Sequence, residues 1–72
     1  MNKFSERLRE LRINKGIKQK VVAEYLEMHF SAYQKYEYGG REPEFDRLIK
    51  ICEYFDVSTD WILGVSEIKE RR

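Results

Sequence analysis

The stretch MHFSAYQKYEYGG, residues 28–40, decides how this chain is read. Phe30, Tyr33, Tyr36 and Tyr38 crowd together there, interleaved with Ser31, Gln34, Lys35 and Glu37. A helix of this composition either buries its rings or shows them, with their polar neighbours, to a partner. At 100° per residue from Phe30, Tyr33 falls at about 300°, Tyr36 at about 240° and Ala32 at about 200°. Phe30, Gln34, Ser31 and Lys35 fall at about 0°, 40°, 100° and 140°. The spacing therefore predicts an inward, ring-rich face and an outward face of Phe30, Ser31, Gln34 and Lys35.

Two starts fit this helix. One lies near Phe30. The other lies near Ala32, because Ser31 followed by Gln34 spells a capping box, and that start would shrink the outward face to Gln34 and Lys35. Upstream, Lys18 to Leu26 places Val22, Ala23 and Leu26 on one helical face. Only about three residues separate the two segments, and helices joined so tightly cross steeply as a helix-turn-helix unit. The crossing needs a small residue, and Ala23 supplies it.

Three further helices complete the chain. Phe4, Leu8, Leu11 and Ile13 recur near helical spacing before a glycine stop at Gly16. YGGREPE, residues 38–44, is a loop marked by its glycines and Pro43. Phe45 to Phe55 places Leu48, Ile51, Cys52 and Phe55 on one face. Ser58, with Asp60 in the first turn, starts a short helix that stops at Gly64. Nothing alternates with a period of two for long enough to make a strand. The expectation is an all-α fold, a compact five-helix bundle, with a domain over residues 4–64 and a polar tail over 65–72 that frays or leads onward.

Composition narrows the function. Seventy-two residues make one small domain. The single cysteine excludes an internal disulfide framework and fits a reducing, cytoplasmic setting. The amino terminus is charged from its third residue, unlike a signal peptide, and no apolar run could span a membrane. Net charge is +1, yet residues 1–41 carry +4 and residues 42–72 carry −3, which points to a basic face on the first half. No nucleophile–base set, paired-carboxylate cleft, phosphate-cradling glycine loop or zinc spacing is present, so neither an enzyme nor a cofactor or metal site is expected. His29, the sole histidine, has no second ligand nearby.

The outward face suits the major groove of DNA. Glutamine bridges N6 and N7 of adenine, lysine donates to guanine O6 and N7, serine adapts to either, and a ring meets the thymine methyl. Spacing alone does not separate such a face from a plain solvated one.

The wider pattern does. From about Phe4 to Gly64 the chain resembles the Cro/XRE family of phage-repressor-like helix-turn-helix domains. Gly16, Ile17, Gln19, Val22, Ala23, Leu26, Tyr33, Tyr36, Glu37 and Gly39 meet the family's central pattern. Pro43, Leu48, Ile51, Val57, Ser58, Asp60, Ile62 and Leu63 meet its closing one.

The resemblance implies a lambda-repressor-like fold and sequence-specific binding of double-stranded DNA by a bacterial or phage regulator. Most often that is a repressor, acting as a homodimer on a near-palindromic operator; any small-molecule inducer is open. It implies base reading by Phe30, Ser31, Gln34 and Lys35. It implies backbone contacts from Gln19, Lys18, Tyr38, Gly39, Gly40 and Arg41, and a structural ion pair between Arg12 and Glu37. The rival reading is a protein-interaction module on the same fold, antitoxin-like or binding another regulator. The pattern is broken at Glu27, where the family's turn has glycine, and at Lys18, His29 and Glu44, where it caps helices with Ser or Thr. Cys52 stands where the family commonly has alanine and reads as a core thiol. Two aromatic side chains stay open: Tyr25 as a packed rim residue or a phosphate contact, and Trp61 as core or dimer contact.

Overall fold

The computed structural model describes residues 2–71. Five helices follow one another: α1 (Lys3–Lys15), α2 (Gln19–Tyr25), α3 (Phe30–Tyr38), α4 (Phe45–Phe55) and α5 (Thr59–Ile62). No strand occurs among the described residues.

Each boundary has a local cause. Asn2 and Ser5 form a reciprocal cap at the head of α1, with Ser5 N–H donating to Asn2 Oδ1 at 2.8 Å and Asn2 N–H to Ser5 Oγ at 3.1 Å. Gly16, at φ 73°, ends α1. Lys18, His29 and Glu44 stand at the heads of α2, α3 and α4 without a side-chain cap bond. The Ser31–Gln34 box does not form, and α3 begins at Phe30, because Tyr33 N–H already donates to the His29 carbonyl at 3.0 Å. Ser58 caps α5 by accepting from Trp61 N–H at 3.1 Å.

The turn between α2 and α3 is left-handed at Glu27, φ 55°, where the pattern expects glycine. Met28 N–H donates to the Ala23 carbonyl at 3.1 Å, so the turn closes onto the crossing. Ala23 is buried there at 2% exposure, as its size predicts. Asp56, which ends α4, is also left-handed at φ 55°, and no pattern in the sequence marks it.

The inward faces of the helices build one core. α1 packs on α3 and α5, α2 crosses α3, and α4 lies against α5. Tyr33 and Tyr36 are fully buried and meet edge to face at 6.2 Å, and Phe4 meets Tyr36 edge-on at 6.3 Å. Leu48, Ile51 and Cys52 complete the α4 side, and burial pushes the Cys52 thiol pKa up. Ile13 is exposed instead of joining the core, and Phe55 is only half-buried at its edge. Tyr25 packs on Tyr54 with ring centroids 4.4 Å apart while keeping 44% of its surface exposed. Trp61 is a core ring at 8% exposure, with the Arg7 guanidinium 4.7 Å and the Lys69 ammonium 5.0 Å from its centroid.

The described part of the tail, residues 65–71, turns back onto the helices. Val65 and Ser66 N–H donate to the Asp60 carbonyl at 2.8 and 3.1 Å, and Ser58 N–H donates to the Lys69 carbonyl at 2.9 Å. Arg7, buried at 8% exposure, donates to the carbonyls of Trp61 and Ser66 and pairs with Glu67 at 2.7 Å. A buried cation needs such partners, and the returning chain provides them. Val65 and Ile68 remain exposed on this segment. Arg72, the end of the expected tail, lies outside the described residues.

Candidate nucleic-acid interface

The two sides of α3 divide along the predicted angles, with Ala32 and Gln34 at the boundary. Tyr33, Tyr36 and Glu37 are buried, Ala32 and Gln34 are half-buried, and Phe30, Ser31 and Lys35 are exposed. Phe30 keeps 47% of its surface in solvent, so the outward face carries one large ring beside polar groups. The start of α3 at Phe30 leaves all four predicted reading residues on the helix.

Beneath that face sits a carboxylate with no solvent exposure, Glu37. Arg12 Nε donates to its Oε2 at 2.6 Å and Arg12 Nη2 to its Oε1 at 3.1 Å, a bidentate pair tying α1 to α3. The Tyr33 hydroxyl, one helical turn back, donates to Oε2, and Gln19 Nε2 donates to Oε1 at 3.1 Å. Burial pushes the Glu37 carboxyl up, but the bonds from Arg12, Tyr33 and Gln19 outweigh it and hold the group below the usual carboxylate range. Tyr33 moves the other way: burial first, then the adjacent carboxylate, raise its phenol far above the ordinary value. Arg12 is raised by its bond to Glu37 and also donates to the Ile17 carbonyl at 2.9 Å.

The expected backbone residues flank α3 on two sides. Lys18 and Gln19 stand at the head of α2, where Arg12, Lys18, Gln19, Lys20 and Phe30 line one hollow. Lys18 makes no side-chain cap bond, so α2 begins at this hollow without a capping side chain, beside the cations Arg12, Lys18 and Lys20. Gln19 is not a free arm: one N–H serves Glu37, and its carbonyl accepts from Gln34 Nε2 at 3.2 Å. At the other end of α3 stand Tyr38, its last residue, and then Gly39 and Gly40, all exposed, with Gly39 at φ 84°. Arg41 pairs with Glu44 at 3.1 Å, and both are exposed, so the pair is weak enough to be exchanged. His29, Arg41 and Arg47 share a second hollow with Glu24 and Glu27, where charges of both signs meet.

Angles and composition left two features of this site unread. One is the Tyr33 hydroxyl on Glu37, whose only signal is the four-residue spacing that brings helical neighbours together. The other is the bond between Gln19 and Gln34, across the turn. Among the described residues no helix is long and apolar enough to cross a membrane.

Comparison with known proteins agrees with this geometry. A helix-turn-helix family model matches residues 8–62. The SPbeta prophage-derived uncharacterized HTH-type transcriptional regulator YonR of Bacillus subtilis (strain 168) is 40% identical over 60 residues, 83% of this chain and 56% of that protein. The restriction-modification controller protein C.AhdI from Aeromonas hydrophila is similar in structure, with a TM-score of 0.73 and 30% identity, over 83% of this chain and 91% of that one. The P22 c2 repressor, crystallised in complex with a synthetic operator, shares the fold at a TM-score of 0.80 and 22% identity, over 88% of this chain and 96% of that one. The chain spans about half the length of the curated relatives it matches. The helix-turn-helix pair, the Arg12–Glu37 pair beneath it and the match across residues 8–62 agree: this chain belongs to the Cro/XRE-type helix-turn-helix family.

Proposed function

We propose that this chain binds double-stranded DNA sequence-specifically as the operator-reading part of a transcriptional regulator. The outward face of α3 carries the reading: its rings at Tyr33 and Tyr36 are spent on the core, while Phe30, Ser31 and Lys35 are exposed with Gln34 half-buried among them. In this reading α3 enters the major groove. The head of α2, with Lys18 and Gln19, holds one stretch of phosphates, and Tyr38, Gly39, Gly40 and Arg41 hold another. Relatives named as HTH-type transcriptional regulators and a fold shared with an operator-bound repressor support it. One small module offers limited contact area, so two copies on a near-palindrome, with half-sites about one helical turn apart, are the expected assembly. Occupancy of the operator then excludes polymerase or a competing regulator, which is repression by steric block.

A second reading, protein binding through the same face, draws on Phe30 at 47% exposure and on the net charge of only +1. Selection of random duplex DNA by the purified protein, read by sequencing, separates the two. A two-fold symmetric motif, with affinity that falls steeply as salt rises, supports operator binding. Absence of any motif together with salt-insensitive capture of a protein partner overturns it.

A further inference from the structure

One carboxylate holds two arginines at the head of α4. Glu44 Oε1 accepts from Arg41 Nη2 at 3.1 Å, and its Oε2 accepts from Arg47 Nη1 at 3.0 Å. Glu44 gives α4 no cap bond, so its side chain serves the arginines instead of the helix. Desolvation pushes the Glu44 carboxyl up, but the bond to Arg41 and the charge of both arginines outweigh it and hold the group below the usual carboxylate range. The carboxylate keeps 52% of its surface in solvent, so the arrangement is open to exchange.

A phosphodiester presents the same features, two free oxygens on one centre and one negative charge, and the arginine fork binds carboxylate and phosphate alike. The two arginines line a hollow of about 450 Å³ that reaches His29 and Ala32 at the start of α3, so they stand beside the reading helix. Glu24 and Glu27 line it too. With Glu44 in place, three carboxylates accompany two guanidiniums, and the seat draws a phosphate only as Glu44 withdraws. Arg47 has a second neighbour. The Tyr36 hydroxyl is wholly buried and has no hydrogen-bond partner among the described residues, yet it is the first cause raising the Arg47 pKa. It is a spare acceptor for a guanidinium with five donors, and it keeps Arg47 in place when the surface partner changes.

We infer that Glu44 stands in for a DNA phosphate in the free chain, and that Arg41 and Arg47 together exchange it for the backbone on binding. Arg47 thereby joins the loop as a phosphate contact, and Glu44 sets how readily that contact forms. The inference rests on the reading of α3 as the DNA-contacting helix. Every complex must part Glu44 from its arginines, so Glu44 lowers affinity. The freed carboxylate also gathers solvent cations, which offsets part of the counterion release from DNA and flattens the salt dependence.

The test is a mutant cycle read by fluorescence anisotropy, on a labelled duplex carrying the motif that the wild-type chain selects, across a series of salt concentrations. Each variant is checked for fold by its melting curve. Glu44→Gln should bind roughly three- to tenfold more tightly, the scale of two exposed ion pairs released, with a steeper salt slope. Arg47→Gln should bind more weakly, with a shallower slope. In the Arg41→Gln/Arg47→Gln background, Glu44→Gln should add nothing, because the charges it competes for are gone. Glu42→Gln removes an exposed carboxylate bonded to neither arginine and should change little.

A gain from Glu44→Gln that survives without the arginines, or that Glu42→Gln matches, is a plain charge effect and overturns the exchange while operator binding stands. Wild-type affinity and salt slope in Arg47→Gln do the same. A wild-type chain that selects no motif overturns the DNA reading itself and the exchange with it.

Discussion

Arg12 and Glu37 stand 25 residues apart in the chain and 2.6 Å apart in the fold, with the arginine partly solvated and the carboxylate wholly enclosed. The pair locks α1 against α3, yet its formation gains little, because desolvating both charges offsets most of their attraction. Losing one member is different. Arg12→Leu leaves Glu37 buried and short of two donors, at an expected cost of about 3–5 kcal/mol. A domain of this length holds only about 4–11 kcal/mol in total. Urea unfolding should show Arg12→Leu barely folded at neutral pH. Adding Glu37→Leu to it should recover much of the loss.

Acid should act through the same carboxyl. Because Glu37 is held below its ordinary value of 4.5, the folded chain takes up this proton less readily than the unfolded chain does. Its contribution is therefore complete above the unfolded value and is lost as pH falls through the depressed folded one. The melting midpoint should stay level down to about pH 5 and decline below about pH 4.5. In Glu37→Gln, less stable at neutral pH, that decline should be shallower; equal slopes in the two proteins would assign the acid response elsewhere.

Glu27→Gly should stabilise the chain. A left-handed non-glycine residue costs roughly 1–2 kcal/mol, and glycine returns roughly 0.4–1 of that through the looser unfolded chain. The Lys50 contact to Glu27, at 3.7 Å and exposed, adds little to the balance. A net gain of up to about 1 kcal/mol is expected from urea midpoints. Asp56→Gly should gain less, because aspartate tolerates this conformation better.

Ala23→Leu should do the opposite. At 2% exposure on the crossing of α2 and α3, the larger side chain has nowhere to go. Overpacking of this kind typically costs 1–3 kcal/mol, and a wild-type melting midpoint would place the crossing elsewhere.

Ending the chain after Gly64 removes the Ser66 carbonyl and Glu67 from Arg7, and the Ile68 and Lys69 carbonyls from Ser58. Hydrogen bonds to a charged group contribute roughly 1.5–3 kcal/mol, part of which water replaces once Arg7 is uncovered. The truncated chain should melt several degrees lower, at roughly 4–8 °C per kcal/mol for a domain of this size. Trp61 fluorescence should change as well, since its stacked Lys69 goes with the tail.

Periodic features of the chain were legible and reciprocal ones were not. α4 matches its expected span because Leu48, Ile51 and Cys52 repeat at helical spacing. The division of α3 followed from angle alone. The cap at Asn2, by contrast, depends on two side chains bonding each other's backbone, and neither residue breaks a hydrophobic pattern. The tail has no periodicity, so only the carbonyl acceptors it brings to Arg7 and Ser58 reveal why it docks. At the interface, angles assigned Tyr33 to the core correctly but said nothing of where its hydroxyl goes. The contact between Gln19 and Gln34 arises only once the left-handed turn at Glu27 has folded α2 back against α3.

Cys52, 3% exposed, lines one hollow with Ser66 and Ile68 of the returning tail. The sole thiol of the chain therefore reports on the packing of the tail beside it. If the tail lifts on its own, a thiol reagent reaches Cys52 at a rate that denaturant hardly changes. If tail and helices part together, alkylation accelerates with denaturant as steeply as global unfolding does. Labelling kinetics at one atom thus measure how far residues 65–71 share the cooperativity of the helices they pack against.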